Sequence, residues 1–339
     1  MAERTFGCAS GHRFDQAKHG YLTLLDPRAP KTIGDDRSML DARERLLASG
    51  VYAPIAHAVA DVAERAIDEP RASAADVAKP TGPGPGPGSS SPAADERASA
   101  GVSPLGLSVA DLGCGTGYYA ASVLDRVLVA RLLAADRSPD AVRATLRALS
   151  DRVPTTGVVL DLWRPLPLRD ASADVLLDVF APRNPREYAR VLAPGGTLIV
   201  VVPTAAHLSG LRETAGMLDI PGGKATLVAE QFAAAGLRCA ASTRIEYVVE
   251  ADAATRALIV GMGPSAHHRD AHAPAARAGA STPDPASAPD PASAPDERSA
   301  SIEASASIEA SHHDETSAGA EADPREVTVS VDVLTLRAH

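Results

Sequence analysis

Short apolar segments alternate with segments of helical character between residues 105 and 264, and this alternation most constrains the fold. The apolar segments are rich in Val, Leu and Ala and have the length of buried strands. The predicted strands span residues 107–112, 128–135, 157–160, 173–180, 197–202 and 237–249, and the predicted helices span residues 118–126, 138–149, 224–235 and 251–260, with a further helix starting at Asn184. Repeated strand–helix units predict an α/β fold with a doubly wound, mostly parallel sheet and helices on both faces.

Two low-complexity stretches divide the chain. Residues 70–104 are a Pro/Gly-rich linker, and residues 265–325 are an acidic insert rich in Pro, Ala and Ser. Such compositions bury little apolar surface, so both stretches are predicted to be disordered. The chain then comprises an N-terminal module (residues 1–69), the α/β domain (105–264) and a last strand (326–339), which is expected to pair antiparallel with residues 237–249.

The net charge of −10, taken alone, argues against a nucleic-acid partner. The insert at 265–325, however, contains eleven acidic and four basic residues, so most of the acidity lies outside the predicted folded parts. No apolar run is long enough to span a membrane, and the N-terminus has no apolar signal core. Three widely separated cysteines, Cys8, Cys114 and Cys239, are typical of a reducing compartment. We therefore expect a cytoplasmic protein without a membrane partner.

A glycine-rich motif, Asp111-Leu-Gly-Cys-Gly-Thr-Gly117, follows the first predicted strand of the α/β domain. Glycines at this point allow a sharp turn and the close approach of a ligand. A dinucleotide fingerprint would need glycine at position 118, where Tyr118 stands. The spacing is instead the one that Rossmann-like methyltransferases use for S-adenosylmethionine (SAM), so we expect Asp111, Gly113, Gly115 and Gly117 to form the cofactor turn.

Two acidic residues close the next two predicted strands. Asp136 is placed to accept hydrogen bonds from the ribose hydroxyls, and Asp161 is placed to reach the adenine amino group. Asp161, taken alone, is equally well explained as a solvent-facing carboxylate. The glycine motif and the two acids, in this order and at strand ends, favour a SAM site.

The segment Val179-Phe-Ala-Pro-Arg-Asn-Pro185 follows the strand next to the glycine motif, so Arg183 and Asn184 are candidates for substrate contact. Alternatively, Asn184 caps the next helix, with Glu187 completing a capping box. Two sets of helical arginines could bind phosphates or could form solvated faces: Arg183, Arg186 and Arg190, and Arg37, Arg43 and Arg45.

Cys8 and His12 are candidate zinc ligands, but a structural zinc site uses four ligands and usually a Cys-x-x-Cys pair. From these residues alone, zinc binding is the less favoured interpretation.

Several blocks resemble the bacterial 23S rRNA (guanine-N1)-methyltransferases, a family that includes tylosin (macrolide) resistance enzymes. The N-terminal segment from Cys8 to Leu25 resembles the second half of that family's zinc module. The other blocks are Gly34–Met39, Gly50–Pro54, Asp111–Tyr119, Phe180–Arg183, Pro194–Gly196, Pro203–Leu208 and Gly261–Ala266. These blocks are distributed along the chain outside the two low-complexity stretches, and the match extends over nearly all of that part.

The resemblance implies a Rossmann-like class I SAM-dependent methyltransferase with a small N-terminal RNA-recognition module of the zinc-ribbon type. It implies methyl transfer to N1 of a guanine in a 23S rRNA hairpin, macrolide resistance, and a homodimer. Tyr52, Thr116, Gly117 and His207 match SAM contacts. Cys8 and His12 match two of four zinc ligands; the preceding Cys-x-x-Cys is missing, so the site is incomplete or the start lies upstream.

A small-molecule methyltransferase, acting on a quinone or a polyketide, remains the alternative, because its glycine motif and Asp136 would be the same. The Cys-x-x-x-His element at the N-terminus favours RNA, since small-molecule enzymes usually carry a lid helix there.

Overall fold

The computed structural model describes residues 5–7, 11, 13–25, 34–68, 106–263 and 325–338. The predicted linker at 70–104 lies outside these residues. So do the acidic insert at 265–325, except for Arg325, and the candidate zinc ligands Cys8 and His12.

An eight-stranded sheet forms the centre of the molecule, in the order β3-β6-β5-β4-β7-β8-β10-β9. Its strands are β3 (Tyr21–Thr23), β4 (Leu107–Leu112), β5 (Val129–Asp136), β6 (Thr155–Val159), β7 (Ala173–Val179), β8 (Leu192–Pro203), β9 (Leu237–Glu250) and β10 (Glu326–Ala338). The strands from β3 to β8 pair in parallel. The predicted mostly parallel α/β fold is therefore confirmed.

Helices cover both faces of this sheet. They are α1 (Arg37–Ala48), α2 (Ala53–Asp68), α3 (Tyr118–Leu124), α4 (Pro139–Leu149), α5 (Pro185–Val191), α6 (Ser209–Ala215), α7 (Lys224–Ala234) and α8 (Ala253–Gly261). One core contains Ile55, Val123 and Ile259, and a second core contains Tyr188 and Phe232. Burial of these apolar side chains on the two faces of the sheet is the main force that holds the layers together.

The strand β10 lies between β8 and β9 and is antiparallel to both. The antiparallel pairing predicted for the last strand and the strand at 237–249 is thus confirmed. Ser330, Val331 and Val333 of β10 are fully or almost fully buried, as expected for an interior strand.

The N-terminal part contributes to the same sheet. Tyr21–Thr23 pairs in parallel with Gly157–Val159 of β6 and forms one edge. The preceding residues form a two-stranded sheet of β1 (Thr5–Gly7) and β2 (Arg13–Asp15).

No single helix in the described part of the chain is long and apolar enough to cross a membrane. In the same part of the chain, α1 and α2 taken together have the length and apolar composition of a membrane span, but the two helices are bent by 82° where they meet.

Candidate functional site

The predicted site residues gather where the parallel strands β4, β5, β6 and β7 end, which is the usual ligand-binding edge of such sheets. The turn after β4 is fixed by the backbone, since the amides of Gly113 and Cys114 both donate to the carbonyl of Ala135, at 2.8 and 3.0 Å. Helix α3 begins directly after Gly117, so the glycine turn joins a strand to a helix as predicted.

The three glycines of this turn serve different purposes. A Cβ on Gly113 would lie 2.4 Å from the Cβ of Ala181, and a Cβ on Gly117 would lie 3.0 Å from the Cγ2 of Thr145. Both glycines are therefore required by packing against neighbouring segments. Gly115 has a φ of +50°, and the nearest atom that a Cβ would meet is Nη1 of Arg43, at 3.5 Å. The backbone at Gly115 is the part of the turn that a ligand can approach.

Asp136 holds the glycine turn at the end of β5. One carboxylate oxygen accepts a hydrogen bond from the amide of Gly115 at 3.0 Å, and the other accepts from the amide of Ser138 at 2.8 Å. Burial raises the pKa of Asp136, and the two amide donors partly offset that rise. The hydroxyl of Ser138 accepts from the amide of Ala141, so the predicted N-cap of α4, with Pro139 as the first helical residue, is confirmed.

Asp161 lies just beyond β6 and forms an ion pair with Arg137, the residue after Asp136, with 2.5 Å between Nη1 and Oδ2. Its other oxygen accepts from the amide of Trp163 at 3.1 Å. Both predicted cofactor acids thus lie on adjacent loops at the same sheet edge. Arg137 connects the two loops, since it follows Asp136 in the chain and pairs with Asp161.

Asp111 is buried beneath this turn, with 3% of its surface exposed. Burial, followed by the charge of Asp136, raises its pKa from 3.8 to about 7. Thr116 is half-buried on the turn.

The N-terminal helix α1 covers the glycine turn. Arg43 forms an ion pair with Asp35 and donates from Nη2 to the carbonyl of Met262 at 2.8 Å. The Ser138 hydroxyl donates to the carbonyl of Asp35 at 2.7 Å, which fixes the segment before α1 against α4. Arg43 was predicted only as one of three helical arginines, and the structure places its guanidinium beside Gly115.

Tyr52 and His207, which the sequence resemblance linked to SAM, lie in contact. The Tyr52 hydroxyl is 3.4 Å from Nε2 of His207. The amide of Ser330 donates to Nδ1 of His207 at 3.2 Å, so the neutral ring carries its proton on Nε2. Burial, followed by the charge of Arg212, lowers the pKa of His207 to about 4, which keeps the ring neutral near pH 7.

Phe180 completes this aromatic cluster. Its ring centroid lies 6.0 Å from that of His207, 6.4 Å from that of Tyr52 and 6.3 Å from that of Tyr119. Phe180 has a φ of +55° and remains 40% exposed. Residues whose backbone is held in this left-handed conformation often occur at functional sites. Sequence reasoning missed Phe180 as a site residue, although an aromatic at the last position of the fourth predicted strand was a usable signal.

Asn184 does not cap α5. No side-chain capping bond is present; instead its amide nitrogen donates to the carbonyls of Leu162 at 2.9 Å and Arg164 at 3.1 Å. Glu187 accepts from the amide of Leu166 and pairs with Arg190, so the predicted capping box is wrong. Because Arg190 and the Leu166 amide hold the Glu187 carboxylate, it does not bind the backbone at the start of α5.

The three arginines at positions 183, 186 and 190 do not form one equivalent face. Arg190 is bound to Glu187, Asp170 and the carbonyls of Leu166 and Leu168. Arg183 and Arg186 instead line an open groove with Trp163.

Zinc coordination has no support in the described residues. They contain no group of three or more His, Cys, Asp or Glu side chains that could hold a metal ion, and Cys8 and His12 lie outside them.

Comparison with known proteins identifies relatives of this chain. Residues 109–196 match the family model described as "Methyltransferase domain". The 23S rRNA (guanine(748)-N(1))-methyltransferase of Streptomyces fradiae is 36% identical over 269 residues, which cover 79% of this chain and 82% of the relative. A protein of Micromonospora griseorubida, named for 23S rRNA guanine-N1 methylation without a nucleotide number, is 39% identical over 268 residues, covering 79% of this chain and 81% of the relative.

Proposed function

The chain belongs to the family of 23S rRNA (guanine-N1)-methyltransferases, and on this premise we propose how its residues divide the reaction. It is a SAM-dependent enzyme that methylates N1 of a guanine in 23S rRNA. The open backbone at Gly115 and the carboxylates after β5 and β6 suit a nucleoside cofactor. In this proposal Asp136 holds the ribose hydroxyls, and Asp161 with Arg137 borders the adenine.

Arg43, whose guanidinium lies beside Gly115, and the Tyr52–His207 pair would hold the methionine end of the cofactor, and Thr116 and Gly117 would contact it from the turn. His207 donates to Tyr52, so the Tyr52 hydroxyl proton is available for another acceptor. A carboxylate ligand would be such an acceptor, and Arg43 is its nearest charged partner.

SAM supplies an electrophilic methyl group on a sulfonium, and the protein's task is to position the acceptor in line with it and to exclude water. Guanine N1 bears a proton that must leave before or during the attack. His207 does not serve as the base for that proton, because Nδ1 accepts from Ser330 and Nε2 already carries hydrogen. Phe180, exposed at the end of β7, would pack against the incoming guanine in this arrangement.

The position of Asp136 carries the assignment of the SAM site, since it joins the open glycine to the end of β5. We predict that Asp136→Asn weakens SAM binding by about 10- to 150-fold, the usual effect of losing hydrogen bonds to a charged group. Isothermal titration calorimetry with SAM measures the change. The exposed Asp151→Asn is the matched control and should bind SAM normally. Unchanged affinity in both variants would refute the assignment.

Methylation itself is tested on a transcript of the 23S rRNA hairpin. N1 methylation blocks base pairing, so primer extension should stop at the modified guanine only when SAM and active enzyme are present. We propose guanine 748 as the target, following the name of the Streptomyces fradiae relative. A stop at another guanine would contradict this position, and methylation of a small molecule without any stop would favour the alternative class.

Macrolide resistance, the cytoplasmic location and the homodimer are further parts of the proposal. A susceptible host that expresses the wild-type chain should tolerate more tylosin than one expressing Asp136→Asn.

Light scattering on the purified protein measures the oligomeric state. Ribosomal RNA as the substrate supports the cytoplasm as the site of action.

The residues present do not fit a complete zinc site, because Cys8 and His12 supply two of the four ligands that such sites use. No step of the reaction is assigned to zinc. Metal analysis of the purified protein is expected to find less than one zinc per chain.

A further inference from the structure

An open groove of about 530 Å³ is lined in part by residues that follow β7 in the chain. Trp163, Arg183, Pro185 and Arg186 line one part of it, and residues of α7 line the other. We propose that this groove binds a nucleotide of the substrate RNA next to the target guanine, with its base stacked on Trp163 and its phosphate on Arg183 and Arg186. This inference rests on the proposed function and names the RNA contact that the function requires.

Trp163 is placed as a binding surface rather than as part of the core. It is the single tryptophan of the chain, and 67% of its surface is exposed. Its neighbour Leu162 is 4% exposed and packs in the core beneath the site. An indole ring held in solvent offers a flat face to an unpaired base, and stacking of this kind tolerates any base.

The backbone around Trp163 is held from both sides. The Asn184 amide donates to the carbonyls of Leu162 and Arg164, the residues before and after the tryptophan. The Trp163 amide donates to Asp161 at 3.1 Å. A ring on a fixed loop loses less conformational entropy on binding than one on a loose loop, so these bonds favour recognition.

The charges in the groove suit a phosphate. Within the described ranges no hydrogen bond or close ion pair engages the guanidinium of Arg183 or Arg186, although Arg183 acts electrostatically on buried Asp178 and Arg186 on Glu187; Arg190 on the same segment is bound directly by two carboxylates. Burial and the charge of Arg183 lower the pKa of nearby Lys224, so positive charge accumulates here. Guanidinium groups bind phosphate oxygens through two parallel hydrogen bonds.

Proteins that bind single-stranded RNA combine an aromatic face with nearby arginines, since the ring stacks on a base and the cations bind the backbone phosphates. Arg183 and Pro185 of the groove follow Phe180 by three and five residues, and Phe180 is where the target guanine is proposed to enter. A nucleotide flanking the target therefore reaches the groove without a second binding site.

Trp163→Ala is the first test. Loss of one stacked base should raise the KM for the hairpin RNA by about 5- to 150-fold, while kcat at saturating RNA changes little. Trp163→Phe should recover part of the affinity, because a smaller ring still stacks. Calorimetry with SAM and the thermal unfolding midpoint should match the wild type, which would show that the exposed position does not affect folding.

Two direct measurements accompany the kinetics. Because the chain has one tryptophan, RNA should quench its fluorescence on stacking. Arg186→Ala should reduce the slope of log Kd against log salt by about 1, as expected for one lost phosphate contact. Arg131→Ala, at the opposite end of the sheet on β5 and also exposed, should leave that slope unchanged.

The outcomes separate this inference from the proposed function. If the wild-type protein produces no primer-extension stop, the proposed function fails. If it produces the stop but Trp163→Ala keeps the wild-type KM and RNA leaves the fluorescence unchanged, only the groove assignment is overturned. A groove that serves a protein partner instead would give this second result.

Discussion

At the scale of single residues, Asp111 makes the stability of the fold depend on pH. Its carboxyl is buried, with its pKa raised to about 7, whereas the ordinary value is 3.8. Between these values the unfolded chain gives up a proton that the folded protein retains. The free energy of unfolding therefore contains a contribution that is fully present below about pH 4 and is lost as the pH rises to about 7.

We predict that Asp111→Asn removes this dependence. Relative to the wild type, the variant should gain up to about 4 kcal/mol in free energy of unfolding between pH 4 and pH 7, since each pKa unit corresponds to 1.36 kcal/mol. Urea denaturation of both proteins at several pH values between 4 and 7 measures the free energy of unfolding. Asp151→Asn, at an exposed position, serves as the control. Parallel curves for Asp111→Asn and the wild type would contradict the prediction.

The sequence located the residues that directly follow strands. Asp136 and Asp161 could be found because a strand end fixes the position of the next side chain at the sheet edge. Arg43 and Phe180 could not be assigned in the same way. Arg43 reaches Gly115 only through the packing of α1 against α4 and α8, and this depends on contacts between residues far apart in sequence.

At the scale of elements, the loop after β4 packs against the loop after β7. The two loops lie so close together at Gly113 that a Cβ on this residue would be 2.4 Å from the Cβ of Ala181. The glycine also has a φ of +93°, which disfavours other residues. Gly236 has a nearly equal φ of +91°, yet a Cβ there would meet no atom of the described residues within 4 Å.

We predict that Gly113→Ala lowers the free energy of unfolding by about 2 to 5 kcal/mol, because it combines backbone strain with a steric clash. Gly236→Ala carries the strain alone and should cost about 1 to 2 kcal/mol. Ala181→Gly, added to Gly113→Ala, should recover the difference. Chemical denaturation of the three variants measures the costs. Equal costs for the two single variants would show that the loops move apart without penalty.

Elements with a clear local pattern were predictable, whatever their length, and those that depend on distant contacts were not. The strict periodicity of β10 predicted its presence, and its antiparallel pairing with β9 was expected, but its insertion between β8 and β9 was not. The strand β3 has three residues and joins the sheet through pairing with β6, which no local pattern indicates. The capping box at Asn184 failed because Arg190 and the loop after β6 compete for the same polar groups.

At the scale of the whole molecule, the acidic insert sets most of the net charge. Replacing residues 264–324 by a Gly/Ser linker of about 12 residues removes this charge and leaves enough length to span α8, which measures roughly 14 Å. We predict an unchanged thermal midpoint and a lower KM for RNA at low salt, because repulsion of the RNA decreases. The difference should vanish at high salt. A fall in the midpoint would show that the insert contributes to the fold.

The order of the strands has a consequence for biosynthesis. β9 pairs only with β10 within the described sheet, yet about 75 residues separate them along the chain. At 5 to 20 residues per second, a ribosome needs roughly 4 to 15 s to deliver the partner after β9 has been made. During that interval the twelve-residue strand β8 is an open edge of the sheet and the fourteen residues of β9 have no strand to pair with, and unpaired edges invite association with other chains. Slow elongation or scarce chaperones should therefore limit the yield of this enzyme more than the stability of its finished fold does.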